Sequence, residues 1–299
     1  DFLNSLGVDI GKGQLKTVTV KADILAAATV GNQDSLGLTS INDDIFTTGL
    51  ISNTDIIETI IPGPGTCAGV NITCSSPSDA YEILISRPMP TFAAASLPST
   101  VFGAGEKTLY RWTVTAPNQS AIGWKKVIFD VSGSVQIGSD TYTIGAGGGA
   151  STDGIYMGTS TTIMDPGKRL IAATTLKVYN IGTGEGVSGS ITDIQNFAAG
   201  GDRISFVSDT EQVVAAGTTK TYELRGDISQ GGKAGDSIST KINKRSTSFT
   251  TDTYSNIAST AATLVWTDRS AADHSESTLD WSNDYGVSGL PIATLSLTK

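Results

Sequence analysis

Apolar and polar residues alternate along several short stretches of this chain, a pattern that predicts β-strands with one buried face. The alternation is clear in residues 107–116 and 124–135, and residues 219–228 read as a further strand. Branched and aromatic side chains occupy many of the apolar positions, and they suit a pleated surface. The residues expected in the core are Tyr110, Trp112, Trp124, Val127, Phe129, Tyr222 and Leu224.

Turn residues separate the predicted strands, which recur at regular intervals as they do in β-sandwiches. Arg87-Pro88-Met89-Pro90 interrupts the series, because proline cannot donate a hydrogen bond to a sheet. We therefore expect an all-β protein of two Ig-like β-sandwich domains with antiparallel sheets. An N-terminal β domain is expected in residues 1–87 and Ig-like sandwich structure in residues 88–299.

Charge and composition exclude several classes of protein. The chain of 299 residues has a formal net charge of −9 and lacks the basic footprint that nucleic-acid binding requires. It contains no run of about 18 apolar residues, so no transmembrane helix is predicted. The chain begins at Asp1, which favours loss of a secretion signal over a start chosen for recombinant expression. We expect an extracellular or cell-surface protein without a cofactor.

Cys67 and Cys74 are the only cysteines, and their spacing favours a disulfide that closes a small loop, with free thiols as the alternative. A disulfide indicates an oxidising compartment, in agreement with secretion. A zinc site would need further ligands, and the chain has a single histidine. Asn71 and Asn118 each begin a glycosylation triplet and are candidate sites of glycan attachment.

The C-terminal residues 264–291 contain Trp266, Trp281 and His274, the single histidine of the chain. Asp273 and Ser275 flank the histidine, but the members of a catalytic triad meet through the fold and are not sequence neighbours. We expect Trp266 to end a strand and Trp281 to pack the returning chain against it. The segment is therefore interpreted as a clasp that closes the last domain, and no catalytic residue is assigned.

Two further motifs have a functional and a structural interpretation. Arg225-Gly226-Asp227 matches a tripeptide that adhesion receptors recognise on loop tips, but it follows a strand pattern here. Asp and Asn residues cluster at residues 42–44 and 283–284, where they could bind calcium or form solvated turns. Calcium takes about six to eight oxygen ligands, and no EF-hand spacing is present. The sequence therefore does not decide between a calcium site and solvated turns.

Three segments resemble the strand phrases and C-terminal signature of large secreted surface proteins of candidate-phylum bacteria. The segments are residues 264–291, 97–116 and 214–229. Those proteins are built from Ig-like β-sandwich modules, so the resemblance implies an extracellular structural role for residues 88–299 and transfers no active site. Residues 1–87 fit the pattern less well and could be a divergent module or a segment that completes a neighbour's fold.

These features favour a structural subunit of an extracellular filament or surface layer that associates with itself. Sheet edges can accept a strand from another chain, and residues 1–24 are the candidate donor segment. An adhesin or carbohydrate-binding module is the alternative, and an enzyme with paired carboxylates is the third hypothesis. The candidate subunit contacts are Phe2, Leu3, Leu6, Val8 and Ile10.

Overall fold

The computed structural model describes residues 33–36, 81–84, 89–144, 149–150, 153–158, 169–196 and 202–299. The chain divides into two compact units, Asp1–Ile85 and Ser86–Lys299. In the first unit, β1 (Gln33–Leu36) pairs antiparallel with β2 (Tyr81–Leu84). Several predicted features lie outside the described residues: the candidate contacts Phe2, Leu3, Leu6, Val8 and Ile10, the pair Cys67 and Cys74, and Asn71.

The regular secondary structure in the described part of the second unit is almost entirely β-strand. They are β3 (Thr91–Ala94), β4 (Gly105–Thr115), β5 (Ile122–Ile137), β6 (Asp140–Ile144), β7 (Gly149–Ala150), β8 (Gly154–Gly158), β9 (Arg169–Ala172), β10 (Lys177–Asn180), β11 (Glu185–Gly186), β12 (Gly189–Asn196), β13 (Asp202–Val214), β14 (Thr219–Ile228), β15 (Ser237–Lys241), β16 (Thr251–Asp252), β17 (Leu264–Thr267), β18 (Trp281–Ser282) and β19 (Leu295–Thr298). A 3-10 turn, Ala173–Thr175, follows β9, and a short helix, α1 (Tyr254–Ala258), follows β16. None of the described helices is long and apolar enough to span a membrane.

The strands form two layers with antiparallel pairing, which confirms the all-β prediction. One layer has the order β3-β4-β14-β10-β11, and in the other β12, β13 and β5 lie side by side. The far edge of β5 pairs with β17 and then with β15, and these two strands pair with β18 and β19. β8 joins the layers by pairing with both β6 and β9. The finer expectation of two Ig-like domains stays a prediction.

Aromatic side chains fill the space between the two layers. Trp112 of β4 lies edge-on to Phe129 and Trp124 of β5, with ring centroids 5.2 Å and 6.2 Å apart. Tyr222 of β14 contacts the same Trp124 ring at 5.0 Å. Edge-to-face contacts of this kind are favourable beyond the area that they bury. All the residues expected in the core are fully buried here.

β5 is buried on both faces from Ile122 to Phe129, and one residue is inserted in this stretch. The pairing with β17 passes from Trp124 to Lys126, so Lys125 is the extra residue of a β-bulge. A regular strand alternates its side chains between faces, whereas a bulge lets two successive side chains share one. Trp124 and Val127 accordingly lie in the core, and both lysines face the outer side.

The sequence pattern predicts one strand over residues 169–181, but the structure has two strands separated by the 3-10 turn. The Thr175 hydroxyl donates to the Ala172 carbonyl at 2.8 Å and accepts the Asp227 backbone N–H at 3.1 Å. These bonds give the backbone an alternative to the sheet ladder at this point. Both strands nevertheless pair with β14.

Replacement of Trp112 by alanine is expected to lower the free energy of unfolding by about 3–5 kcal/mol, because the indole is fully buried between the layers. The measurement is denaturant unfolding of the purified protein. Leu279→Ala is the control, since that side chain is 72% exposed and its loss should cost less than about 0.5 kcal/mol. Equal costs for the two variants would contradict the proposed core.

Candidate functional site

Residues 268–280, between β17 and β18, form the clasp loop, which with α1 covers the outer face of the second layer. Its anchor is a second, smaller apolar cluster formed by Ile257, Ala262, Val265 and Trp281, with Tyr254 packed against it. The Trp281 indole N–H donates to the Ser275 carbonyl at 2.9 Å, which ties the end of the loop to its middle. The Tyr254 ring lies edge-on to the Trp281 ring at 5.1 Å.

Trp281 does not pack against Trp266, contrary to the sequence-based expectation. Trp266 pairs with Ser282 and Thr267 pairs with Trp281, so the two tryptophans occupy successive register positions. Successive positions face opposite sides of a sheet. Trp266 therefore belongs to the main core, where its indole N–H donates to the Asn283 carbonyl at 2.8 Å. Trp281 belongs to the outer cluster.

His274 fastens the clasp loop between two carboxylates. Its Nδ1 lies 2.8 Å from Asp280 Oδ2, and its Nε2 lies 3.1 Å from Glu211 Oε2. The imidazole side chain is only 9% exposed and lies 5.4 Å from the Trp281 ring. We call Glu211, His274 and Asp280 the carboxylate–histidine cluster. Both ring nitrogens face carboxylates, and the nearest hydroxyl, that of Thr278, lies 3.5 Å from Nδ1 and 2.6 Å from Asp280 Oδ1.

The environment of Asp280 favours its charged form. Burial alone raises the pKa of this carboxyl, but hydrogen bonds from the Thr278 hydroxyl, the Ala271 backbone N–H and His274 together outweigh burial. The pKa of Asp280 is consequently held below its usual range. Thr278 Oγ1 lies 2.6 Å from Asp280 Oδ1, and the Ala271 nitrogen lies 3.2 Å from Oδ2.

A second irregularity in the sheet brings Glu211 to the histidine. The pairing of β13 with β5 passes from Val207 directly to Gln212, so residues 208–211 bulge out of the ladder. The carboxylate of Glu211 lies on Gly123 of β5, where an added Cβ would be only 1.6 Å from Oε1. Glu211 Oε2 also accepts a hydrogen bond from Arg269 at 2.6 Å. A methyl group at residue 123 would therefore have to displace the end of the Glu211 side chain from this position.

The two outward lysines of the β5 bulge hold the loop and the helix. Lys125 pairs with Glu276 of the clasp loop and lies over the Tyr254 ring, 4.7 Å from its centroid. The Lys126 ammonium donates to the carbonyls of Ala258 and Thr260 at 2.7 Å and 3.0 Å, at the end of α1. Buried cations are tolerated where they are paired and hydrogen-bonded in this way.

Asp284, in one of the predicted Asp and Asn clusters, is a fully buried hydrogen-bond acceptor. Its carboxylate accepts the backbone N–H groups of Arg245, Ser246 and Thr263 at 2.7 Å, 3.1 Å and 3.1 Å, and also the Ser246 hydroxyl. The oxygens that calcium would need are thus occupied by protein donors. No group of three or more metal-ligating side chains occurs within the described ranges.

Arg225-Gly226-Asp227 lies within β14 and pairs along its length with β4. Arg225 forms an ion pair with Glu223 at 2.7 Å, and its guanidinium lies 4.3 Å from the centroid of the Tyr179 ring. The tripeptide is therefore part of the sheet and is not presented on a loop tip. Asn118 is exposed in the turn between β4 and β5, and its glycosylation stays a prediction.

Sequence reasoning missed Asp202, which faces the core from the start of β13. It is 2% exposed and lies on the same face as Ile204 and Phe206, and neither carboxylate oxygen has a hydrogen bond of normal geometry. Burial raises the pKa of Asp202 to about 7, and the nearby Tyr156 backbone N–H lowers it only slightly. No sequence signal marks this aspartate, because the strand alternation there resembles that of its neighbours.

Comparisons of the chain with protein-family models, with curated proteins and with solved structures found no match. The resemblance to secreted surface proteins therefore stays an expectation.

Substitution of Gly123 by alanine is expected to displace Glu211 and release the clasp loop, because the new methyl group would overlap the carboxylate. Loss of the hydrogen bonds that Glu211 accepts should lower the free energy of unfolding by about 1–3 kcal/mol. Gly103→Ala is the matched control, since an added Cβ there meets nothing within 4 Å. Denaturant unfolding compares the two variants, and similar stabilities would argue against the contact of the Glu211 carboxylate with Gly123.

Replacement of Asp202 by asparagine is expected to stabilise the protein increasingly as the pH rises from 4 to 8. The pKa of Asp202 is raised on folding from 3.8 to about 7, so the folded state binds the proton more tightly and loses stability as the pH rises through this window. The difference in unfolding free energy between variant and wild type should change by about 4 kcal/mol across it. A difference that is constant between pH 4 and pH 8 would count against a buried, ionisable Asp202.

Proposed function

We propose that this protein is a structural subunit of an extracellular filament or surface layer, built from Ig-like β-sandwich structure and polymerising through strand-mediated contacts. The observation that carries the proposal is the use made of the polar side chains around the clasp loop. His274, Glu211, Lys125 and Asp280 all bond to other parts of the same chain, and together they fasten the loop to the sheet. Such contacts between the loop and the sheet suit a module that must stay folded under mechanical force.

The two layers support the same role. The aromatic core lies on one side of β5 and the clasp on the other, so the central strand is held on both faces. Unfolding the clasp end would expose the outer cluster and two lysines that are now buried and bonded. Removing the partners of buried charges is costly, which favours all-or-none behaviour in this part of the unit.

The C-terminal strand is not the segment that we assign to subunit contacts. β19 pairs with β15 on one side, and on the other it meets residues 100–102. The Phe102 N–H donates to the Thr298 carbonyl at 3.0 Å, and the Thr298 N–H donates to the Thr100 carbonyl at 2.8 Å. Because both edges of β19 have backbone partners, the candidate donor remains the N-terminal segment 1–24, with Phe2, Leu3, Leu6, Val8 and Ile10 as its apolar contacts.

The full-length protein is expected to form polymers that negative-stain microscopy and light scattering detect, because a donated strand would complete the sheet of the next subunit. Deletion of residues 1–14 should convert the polymers to single subunits with an unchanged circular dichroism spectrum. Leu279→Ala is the matched control and should polymerise as the wild type does.

Two outcomes oppose the proposal. A monodisperse full-length subunit that binds a glycan saturably would replace assembly with an adhesin function. Polymers that survive the deletion unchanged would exclude residues 1–14 as the donor strand.

A further inference from the structure

The carboxylate–histidine cluster has one more acceptor than a neutral imidazole can satisfy. A neutral imidazole carries one N–H, whereas an imidazolium carries two. Both ring nitrogens of His274 lie at hydrogen-bond distance from a carboxylate oxygen, at 2.8 Å and 3.1 Å. Ionised carboxylates only accept, so the arrangement holds together when one additional proton is bound among its three members.

The additional proton resides on the imidazole, because the surroundings stabilise both carboxylates as anions. Asp280 has a lowered pKa: burial raises it, and the hydrogen bonds from Thr278, Ala271 and His274 lower it by more. Glu211 accepts from the Arg269 guanidinium at 2.6 Å. With an imidazolium the cluster and Arg269 contain two anions and two cations, whereas a neutral ring would leave one carboxylate uncompensated.

The other charged and titratable groups around His274 already have partners. On β5, Lys125 is paired with Glu276 of the clasp loop and contacts the Asp209 carbonyl of the β13 bulge at 3.1 Å. On α1, the Tyr254 ring lies edge-on to Trp281, and burial raises the pKa of its hydroxyl to about 12. Asp273, next to the histidine, is exposed to solvent.

We propose that the clasp loop is a proton-dependent latch, in which the doubly protonated His274 fastens residues 268–280 to the β13 bulge and loss of that proton releases them. The mechanism needs no covalent step: a base in solvent accepts the proton, and the repulsion between the unpaired carboxylate and its neighbours opens the loop. The inference does not depend on the proposed structural role, because it concerns one loop of an isolated subunit.

The latch has a defined pH response. While the closed state holds one proton that the open state lacks, the ratio of open to closed molecules rises by at most about tenfold per pH unit. On the acid side the latch persists until the carboxylates are protonated, and the lowered pKa of Asp280 extends that limit downward. The loop is therefore expected to be closed at lower pH and to open as the pH rises.

The first test uses the protein as it is, because the chain contains a single histidine. After incorporation of nitrogen-15 histidine, the spectrum of the folded full-length chain reports only the two ring nitrogens of His274. We expect both nitrogens to be protonated at pH 7 and one to lose its proton as the pH rises. A nitrogen without a proton in the folded chain at pH 7 overturns the proposal.

The second test measures opening of the loop by the rate of trypsin cleavage after Arg269, which lies in the clasp loop, between pH 7 and pH 9. Cleavage after Lys233, an exposed residue in the loop before β15, corrects for the enzyme's own pH dependence. The corrected rate should rise up to about tenfold per pH unit in the wild type. In His274→Gln, which has no titrating ring, the corrected rate should be flat.

Asp273→Asn is the matched control for this experiment, since it removes a neighbouring exposed charge outside the cluster and should keep the wild-type profile. A wild-type rate that does not change with pH, or a His274→Gln profile that parallels the wild type, contradicts the latch. If His274→Gln fails to fold, the nitrogen-15 spectrum of the wild type decides the question alone.

Discussion

The β-bulge at Lys125 is the constraint on which the second unit depends, because it lets the central strand β5 serve two layers of different character. Before the bulge Trp124 faces the aromatic core, and after it Val127 does so again. Lys125 and Lys126 share the outer face and bond to the clasp loop and to the end of α1. Without the inserted residue, one of the two lysines would point into the core, where an unpaired cation is costly.

The bulge in β13 complements the one in β5. Residues 208–211 leave the ladder beside Lys125, and this bulge positions Glu211 over Gly123 and toward His274. The Ser208 hydroxyl fills part of the gap by donating to the carbonyls of Ser188 and Thr210 at 3.1 Å and 2.7 Å. The two adjacent bulges, in β5 and β13, thus form the surface on which the clasp loop packs, and neither strand alone would provide it.

The sequence allowed the regular strands to be predicted but not the contacts that make the clasp. β14 has the bounds expected from its pattern, Thr219–Ile228, because alternation and flanking turn residues mark a strand with one buried face. The alternation in residues 124–135 also predicts β5, but it marks neither the bulge at Lys125 nor the burial of both faces from Ile122 to Phe129. The aromatic pair of the C-terminal segment was recognised as structural, yet the positions of Trp266 and Trp281 depend on register, which local patterns do not specify.

The carboxylate–histidine cluster illustrates the same limit at longer range. His274 and Asp280 are neighbours in the chain, but Glu211 is far away in sequence and reaches them only through the β13 bulge. The burial of Asp202 is equally hidden, because it follows from strand pairing that the sequence does not display. Both features depend on strand register, which decides whether a polar side chain is buried and which partners it meets.

Native-state hydrogen exchange tests the central claim, that the clasp is an integral layer fastened to β5. We expect the Trp281 indole N–H and the backbone N–H groups of Tyr254 and Thr263 to exchange as slowly at neutral pH as those of the core strands. They donate to the Ser275 carbonyl, the Glu276 carbonyl and the Asp284 carboxylate, respectively. Rapid exchange of these protons beside a protected core would contradict it, because the clasp would then be a mobile surface loop.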